Sequence, residues 1–287
     1  MPLESTAEVM RQTVAAGRGV AAFNVITLEH VEAVAMGAED AAVPAILQVS
    51  ENAVAFHGGN PQPLADAARA VARVADVPLS LHLDHVEDDA LLWRAAECGF
   101  SSVMFDASRL SYHDNIEATR GAAEWAHAHD LLCEAELGEV GGKDGAHAPW
   151  VRTDPAEAQA FVERTGVDAL AVAVGSSHAM IDRTARLDQE LIATLRRSVP
   201  VPLVLHGSSG VADDDLSAAV AHGIVKVNIG TALNVAFTQA VRDYLEGHPD
   251  AVDPRKYGKA ARAAMAKTVA RFARVVATPP PRTAGPS

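Results

Sequence analysis

Short, nearly unbroken apolar runs recur along the chain, and the stretches between them change period. Eight runs stand out: VAAFNV (20–25), AILQVS (45–50), LSLHLD (79–84), SSVMFD (101–106), LCEAEL (132–137), ALAVAVG (169–175), PLVLHG (202–207) and IVKVNIG (224–230). Apolar residues at almost every position suit parallel strands buried on both faces. The intervening stretches, such as LEHVEAVAMGAEDA (28–41) and DPAEAQAFVERTG (154–166), read as helices bounded by capping residues and glycine. Ser5 to Glu8, STAE, is a capping box that opens a helix before the first strand. Eight strand-and-helix alternations in about 250 residues predict an α/β fold, a TIM (β/α)8 barrel. A doubly wound open sheet is the rival. It would put a glycine-rich turn after its first strand, and FNVITLE (23–29) has none. No stretch reads as a linker, so one domain is expected over 1–278, with N- and C-terminal helices. The proline-rich tail at 279–287 is expected to be disordered.

The polar residues are placed in a way the apolar pattern makes visible. The runs end in Asn24, Ser50, Asp84, Asp106, Glu136, His178 just past the sixth, His206 and Asn228. In a barrel these C-terminal ends converge on one mouth, where barrel enzymes keep their sites. Three histidines, His85, His178 and His206, stand at that rim, and three imidazoles with an open position make a catalytic zinc arrangement. Glycine-rich turns follow strands seven and eight, HGSSG (206–210) and NIGT (228–231), where barrels often bind phosphate on backbone N–H groups. The long loop GEVGGKDGAHAP (138–149) reads as a lid carrying one acid, Asp144. His82 and Asp84 share a strand face. Asp84 stands at the mouth, His85 opens the loop, and His82 lies one layer deeper, suited to orienting the site. The remaining histidines read as helix and loop residues.

Composition narrows the function. The 287 residues are 49% hydrophobic with a net charge of −13, which disfavours nucleic acid and anionic membranes as partners. No segment approaches the roughly 20 apolar residues of a membrane span. Cys98 and Cys133 form no CxxC pair, and a reducing, cytoplasmic setting is expected. One basic stretch, with seven Lys and Arg and no acid between Arg255 and Arg274, reads as a C-terminal helix.

The segments AFNV, ILQVSE, HLDH, SVMFDAS, EAELGEVGG, DALAVAVGSSH, LVLHGSSG, KVNIGT and DPRKY, in this order from about Phe23 to Met265, resemble the class II, zinc-dependent fructose-bisphosphate/tagatose-bisphosphate aldolases. The resemblance implies a phosphorylated sugar substrate and Zn²⁺, or another divalent metal, with room for a monovalent cation. It implies that Asp84 moves the proton on the hydroxyl of the carbon leaving as aldehyde. His85, His178 and His206 would bind the metal, with Asp106 and Glu136 beside it as ligands of an alternative position. Gly207, Ser208, Ser209, Asn228, Ile229, Gly230 and Thr231 would cradle the phosphate of dihydroxyacetone phosphate. Asn24 and Ser50 would line the substrate, and Asp144 would act on the dihydroxyacetone-phosphate carbon. Arg183 aligns with a lysine of the family and would take over its phosphate contact. Gly230, in NIG rather than NID, matches the tagatose-type members. A homodimer or homotetramer is implied as well.

Chemistry agrees with this resemblance. Breaking a C–C bond beside a ketone leaves an enediolate, and a metal ion stabilises it without a Schiff base. Lys226 lies mid-strand rather than at a strand end, which argues against a Schiff-base aldolase. Two rivals remain: a family member acting on another phosphorylated keto-sugar or keto-acid, and a catalytically weak homologue serving as a structural subunit.

Overall fold

In a computed structural model, residues 3–137, 152–176 and 182–278 are described. Eight parallel strands among them close into a barrel in the order of the sequence. They are β1 (Val20–Asn24), β2 (Ala45–Ser50), β3 (Leu79–Val86), β4 (Ser102–Phe105), β5 (Leu132–Glu136), β6 (Ala169–Ala171), β7 (Leu203–Leu205) and β8 (Ile224–Ile229). Helix α1 (Thr6–Ala15) precedes β1. Between strands lie α2 (Leu28–Ala41), α3 (Glu51–Phe56), α4 (Gln62–Val74), α5 (Asp89–Leu92), α6 (Tyr112–Ala128), α7 (Pro155–Thr165), α8 (Gln189–Ser198) and α9 (Asp213–His222). Helices α10 (Thr231–Gly247) and α11 (Pro254–Ala277) follow β8. The fold is the TIM barrel that the alternation predicts.

The helices start and stop where their end chemistry says. The Asp154 carboxylate accepts from the N–H groups of Ala156 and Glu157 at the start of α7, Pro155 occupies its first turn, and Gly166 closes it at φ 71°. In α1 the Ser5 hydroxyl accepts from the Glu8 N–H, but the Glu8 carboxylate turns to Arg11 and Gln12, so the capping box is half made. The basic helix α11 lies along α2 and finds its counter-charges there and on α9: Arg262 pairs with Glu32, Arg274 with Asp40, and Arg271 with Asp213.

Strand parity divides the buried residues into two cores. Outward residues such as Phe23, Leu47, Leu81, Val103 and Ile229 pack under the helices. Inward residues, among them Val20, Ala22, Ile46, Met104, Ala171 and Val204, form a smaller cluster inside the barrel, closed from below by Val9 and Met10 of α1. The sixth strand is shorter than its apolar run because the ladder to β7 ends with the Val172 N–H on the Val204 carbonyl, and the chain then leaves the sheet. Ala173 instead exchanges hydrogen bonds with Thr153, and the Val174 carbonyl accepts from Asp188. The cysteines are both free and buried. No helix among the described residues is long and apolar enough to cross a membrane.

Candidate active site at the barrel mouth

The site is made by a change of residue type along the inward-facing positions. On β3 these are Ser80, His82 and Asp84; on β5, Glu134 and Glu136; on β8, Lys226 and Asn228. All seven are buried. Asp84 stands at the end of this series. Its Oδ2 accepts from Gln48 Nε2 at 3.0 Å, while Oδ1 has no hydrogen-bond partner among the described residues. Gln48 in turn donates to Asn24 Oδ1 at 3.2 Å.

His85 does not begin a loop, as its position after LSLHLD suggests. β3 continues to Val86, and its register against β4 shifts between Leu83 and Val86. His85 sits within this irregularity at φ 50°, a left-handed conformation uncommon for a side chain other than glycine. The kink puts two consecutive residues, Asp84 and His85, onto the same site, where an unbroken strand would send them to opposite faces.

From there His85 meets His206. Its Nε2 lies 3.0 Å from His206 Nδ1, and its Nδ1 lies 2.7 Å from Asp106 Oδ2. The other Asp106 oxygen accepts from the N–H and hydroxyl of Ser108. His206 Nε2 lies 3.0 Å from Glu134 Oε1 and 3.0 Å from the Asn228 amide. Asn115 holds the backbone as it leaves β5, donating to the carbonyls of Glu136 and Leu137.

The acids give this place a field that favours a cation. Burial alone would push the His85 imidazolium down, but Asp84, Asp106 and Glu136 outweigh it and raise the group to about 10. Burial likewise works against ionised Asp84, yet the positive charge of His85 first, and of Lys226 behind it, holds its carboxyl well below the usual range. His206 is pushed down, by burial first. One candidate ligand atom each from Asp84, His85 and His206 lies within 4.8 Å of the others, and the same holds for His85, Asp106 and Glu136. These two groups share His85.

The glycine-rich turns lie side by side. Gly207 at φ 65° leads into a short 3-10 turn at Ser208–Gly210, and the Ser209 hydroxyl accepts from the Ala232 N–H in the first turn of α10. Gly230 precedes that helix; a Cβ there would stand 3.0 Å from Asn24 Oδ1. Thr231 opens the helix, half-buried. Ile229 turns its side chain into the outer core, so only its backbone belongs to the mouth. Ser50 ends β2 and caps α3, accepting from the Ala53 N–H. Arg183 donates to the Val211 carbonyl and the Asp213 carboxylate, beyond the Ser208–Gly210 turn, with its guanidinium 5.4 Å from the Phe272 ring. His178 and Asp144 lie outside the described residues. Other histidines serve local structure: His127 meets Asp168, while His57, His129 and His248 bond to backbone carbonyls.

Three buried residues of the site escape a reading of strand ends: Gln48, Glu134 and Lys226. Each shares the parity of a strand-end residue, Ser50, Glu136 and Asn228, and lies two positions deeper. Following parity inward from those ends is the signal that finds them.

The sequence model of the family described as "Fructose-bisphosphate aldolase class-II" matches residues 4–278. The D-tagatose-1,6-bisphosphate aldolase subunit GatY of Klebsiella oxytoca is 37% identical over 264 residues, covering 90% of this chain and 92% of that protein. Among solved structures, the YdjI aldolase from Escherichia coli K12 superposes with a TM-score of 0.82 at 30% identity, over 96% of this chain and 97% of that one. The fold alone is shared with the fructose-bisphosphate aldolase of Campylobacter jejuni, at a TM-score of 0.80 and 24% identity over 96% and 95% of the two chains. The chain belongs to the class II fructose-bisphosphate aldolase family and is a carbon–carbon lyase.

Proposed function

We propose that the chain is a Zn²⁺-dependent aldolase that cleaves or forms a ketose bisphosphate, yielding dihydroxyacetone phosphate and glyceraldehyde 3-phosphate. The observation that carries this reading is the meeting of His85 Nε2, His206 Nδ1 and the Asp84 carboxylate at one point of the mouth. Two imidazole nitrogens beside a cluster of acids suit a divalent ion. His85 and His206, with His178 as the third, would hold it, and Asp106 and Glu136 offer a second set of donors around His85. Bound there, the ion supplies Lewis-acid stabilisation of the charge developing on the ketone fragment.

The protein's own groups supply the rest. As the C3–C4 bond breaks, Asp84 takes the proton of the C4 hydroxyl, which becomes the aldehyde carbonyl. Its unpartnered, buried Oδ1 fits that task, since no other hydrogen competes for it among the described residues. The electron pair of the broken bond stays on the ketone fragment and is taken up by a proton delivered to C3, the role assigned to Asp144. The paired turns at Gly207–Ser209 and Asn228–Thr231, at the start of α10, suit a phosphate held on backbone N–H groups. A Schiff base is disfavoured because Lys226 is fully buried with its ammonium on the Glu134 carboxylate at 2.7 Å.

Gly230 and the tagatose-type relative favour tagatose 1,6-bisphosphate over its C4 epimer, fructose 1,6-bisphosphate. The test is release of dihydroxyacetone phosphate from each sugar, before and after chelation and again with added Zn²⁺. The expected result is loss on chelation, recovery with Zn²⁺ and faster turnover of the tagatose sugar. Turnover that survives metal removal, or none on either sugar, overturns the reading.

A further inference from the structure

Beneath the mouth, inward-facing polar side chains continue as a single file of hydrogen bonds down to the floor of the barrel. Glu134 and Lys226, both fully buried, form its centre. Glu134 Oε2 accepts from Lys226 Nζ at 2.7 Å, and Oε1 faces His206 Nε2 at 3.0 Å. Lys226 Nζ also lies 3.3 Å from His82 Nε2. His82 Nδ1 meets the Ser102 hydroxyl at 2.8 Å, and that hydroxyl donates to Thr6 Oγ1 at 2.7 Å. The segments joined lie far apart in sequence, on α1, β3, β4 and β5, just past β7, and on β8.

The donor inventory gives this file a direction. An ammonium has hydrogens and no lone pair, and a carboxylate has lone pairs and no hydrogen. Facing Lys226, His82 Nε2 must accept, so the His82 proton sits on Nδ1 and points to Ser102. His206 Nε2 faces both Glu134 Oε1 and the Asn228 Nδ2 amide, each at 3.0 Å, and these ask opposite roles of it. The bond to the charged carboxylate is the stronger, so Nε2 donates to Glu134 and His206 Nδ1 turns its lone pair toward His85. The same constraint denies Asp84 a hydrogen bond from His82. Their nearest approach is 3.7 Å, and the His82 nitrogen on that side carries no hydrogen.

We propose that Lys226 and Glu134 are positioning residues: together they fix the tautomers of His206 and His82, so that His206 presents Nδ1 to a divalent ion and Asp84 Oδ1 stays open as a base. The proposal rests on the metal-dependent reading above. A salt bridge kept only for packing would be replaceable by apolar residues of similar size with little loss. A pair that sets a ligand's tautomer would not be, because carboxylates behind ligating histidines typically carry 10–100-fold in metal affinity.

The experiment compares the full-length protein with Glu134→Gln and with the double variant Lys226→Met/Glu134→Leu. Co²⁺ affinity is measured by competition with a chromophoric chelator, alongside the visible spectrum of the Co²⁺-loaded protein and the unfolding midpoint of the metal-free form. The expected result is a 10–100-fold loss of Co²⁺ affinity and an altered spectrum in both variants, with the double variant keeping the wild-type unfolding midpoint. Wild-type affinity and spectrum in the double variant would overturn the proposal while leaving the metal-dependent reading intact. A wild-type protein that takes up no Co²⁺ or Zn²⁺ would overturn that reading, and this proposal with it. The isosteric Glu134→Gln variant keeps the test decisive if the double variant does not fold.

Discussion

The two faces of the barrel wall follow different rules. Outside, under the helices, the buried positions of the strands are apolar from β1 to β8, and packing alone holds them. Inside, an apolar cluster shares the space with Gln48, His82, Asp84, Glu134, Lys226, His206 and Asn228, all buried. An apolar interior would be simpler to stabilise, since buried charge is costly unless paired. The inner face accepts that cost where strand ends must carry chemistry, and pairs its charges in a fixed sequence to limit it. Leu81 and His82 make the contrast sharp: neighbours on β3, both buried, one in the outer core and one in the polar file. Stability should therefore respond to the outer face and turnover to the inner one.

The largest effect is expected inside. Asp84→Asn keeps the size of the side chain and an oxygen able to accept from Gln48, but removes the base. Turnover of the ketose bisphosphate should fall by about 10²–10⁴, with bound metal and the unfolding midpoint near those of the parent. Steady-state rates with metal quantified on the same sample check this. A comparable loss of fold would mean that the inner polar residues hold the barrel together, and the division of labour would fail.

Next is the outer face. Leu81→Ala removes a fully buried side chain under the helices and should destabilise by about 2–5 kcal/mol in denaturant unfolding. Activity per folded molecule should be unchanged well below the transition, although the substitution sits beside His82. A smaller loss is expected farther out. Gly37 on α2 packs against α11 so closely that a Cβ would meet the Ala266 carbonyl and Val269 Cβ at 2.5 Å each. Gly37→Ala gains some helix propensity but must separate the two helices, for a net loss of about 1–3 kcal/mol. A more stable variant would show that α11 moves aside freely.

The same division explains what could be read from the chain. The outer core imposes one requirement, apolar at each buried strand position, so the eight runs and their order are legible. LEHVEAVAMGAEDA is helix α2 from first residue to last. Strand-end residues such as Asp84, Asp106, His206 and Asn228 are legible for a related reason: they interrupt an apolar run. Partnerships are not. Glu134 meets residues 72 and 92 positions away, His206 and Lys226, and no local pattern encodes which inward residues face each other across the barrel. The kink that brings His85 alongside Asp84 is hidden as well, because a left-handed residue inside a strand leaves no mark on hydrophobic periodicity. Arg183 is a further partnership of this kind: Val211 and Asp213, 28 and 30 positions away, receive its hydrogen bonds.

The smallest predicted effect tests whether the floor of the barrel and its mouth are coupled. Ser5 is exposed, and its hydroxyl accepts from the Glu8 N–H at the start of α1. Ser5→Ala removes that cap and should cost about 0.5–2 kcal/mol, toward the low end because the bond is exposed. Its neighbour Thr6 is the last member of the buried polar file, bonded to Ser80 and Ser102. Fraying of the first turn of α1 therefore pulls on the end of a chain whose other end is His206. Hydrogen exchange at α1 should quicken in the variant, while turnover stays at the parent's value, because Lys226 and Glu134 anchor His206 independently of the floor. A fall in turnover or in metal affinity would show that the file transmits strain along its whole length, and would move the positioning role from the central ion pair to the column as a unit.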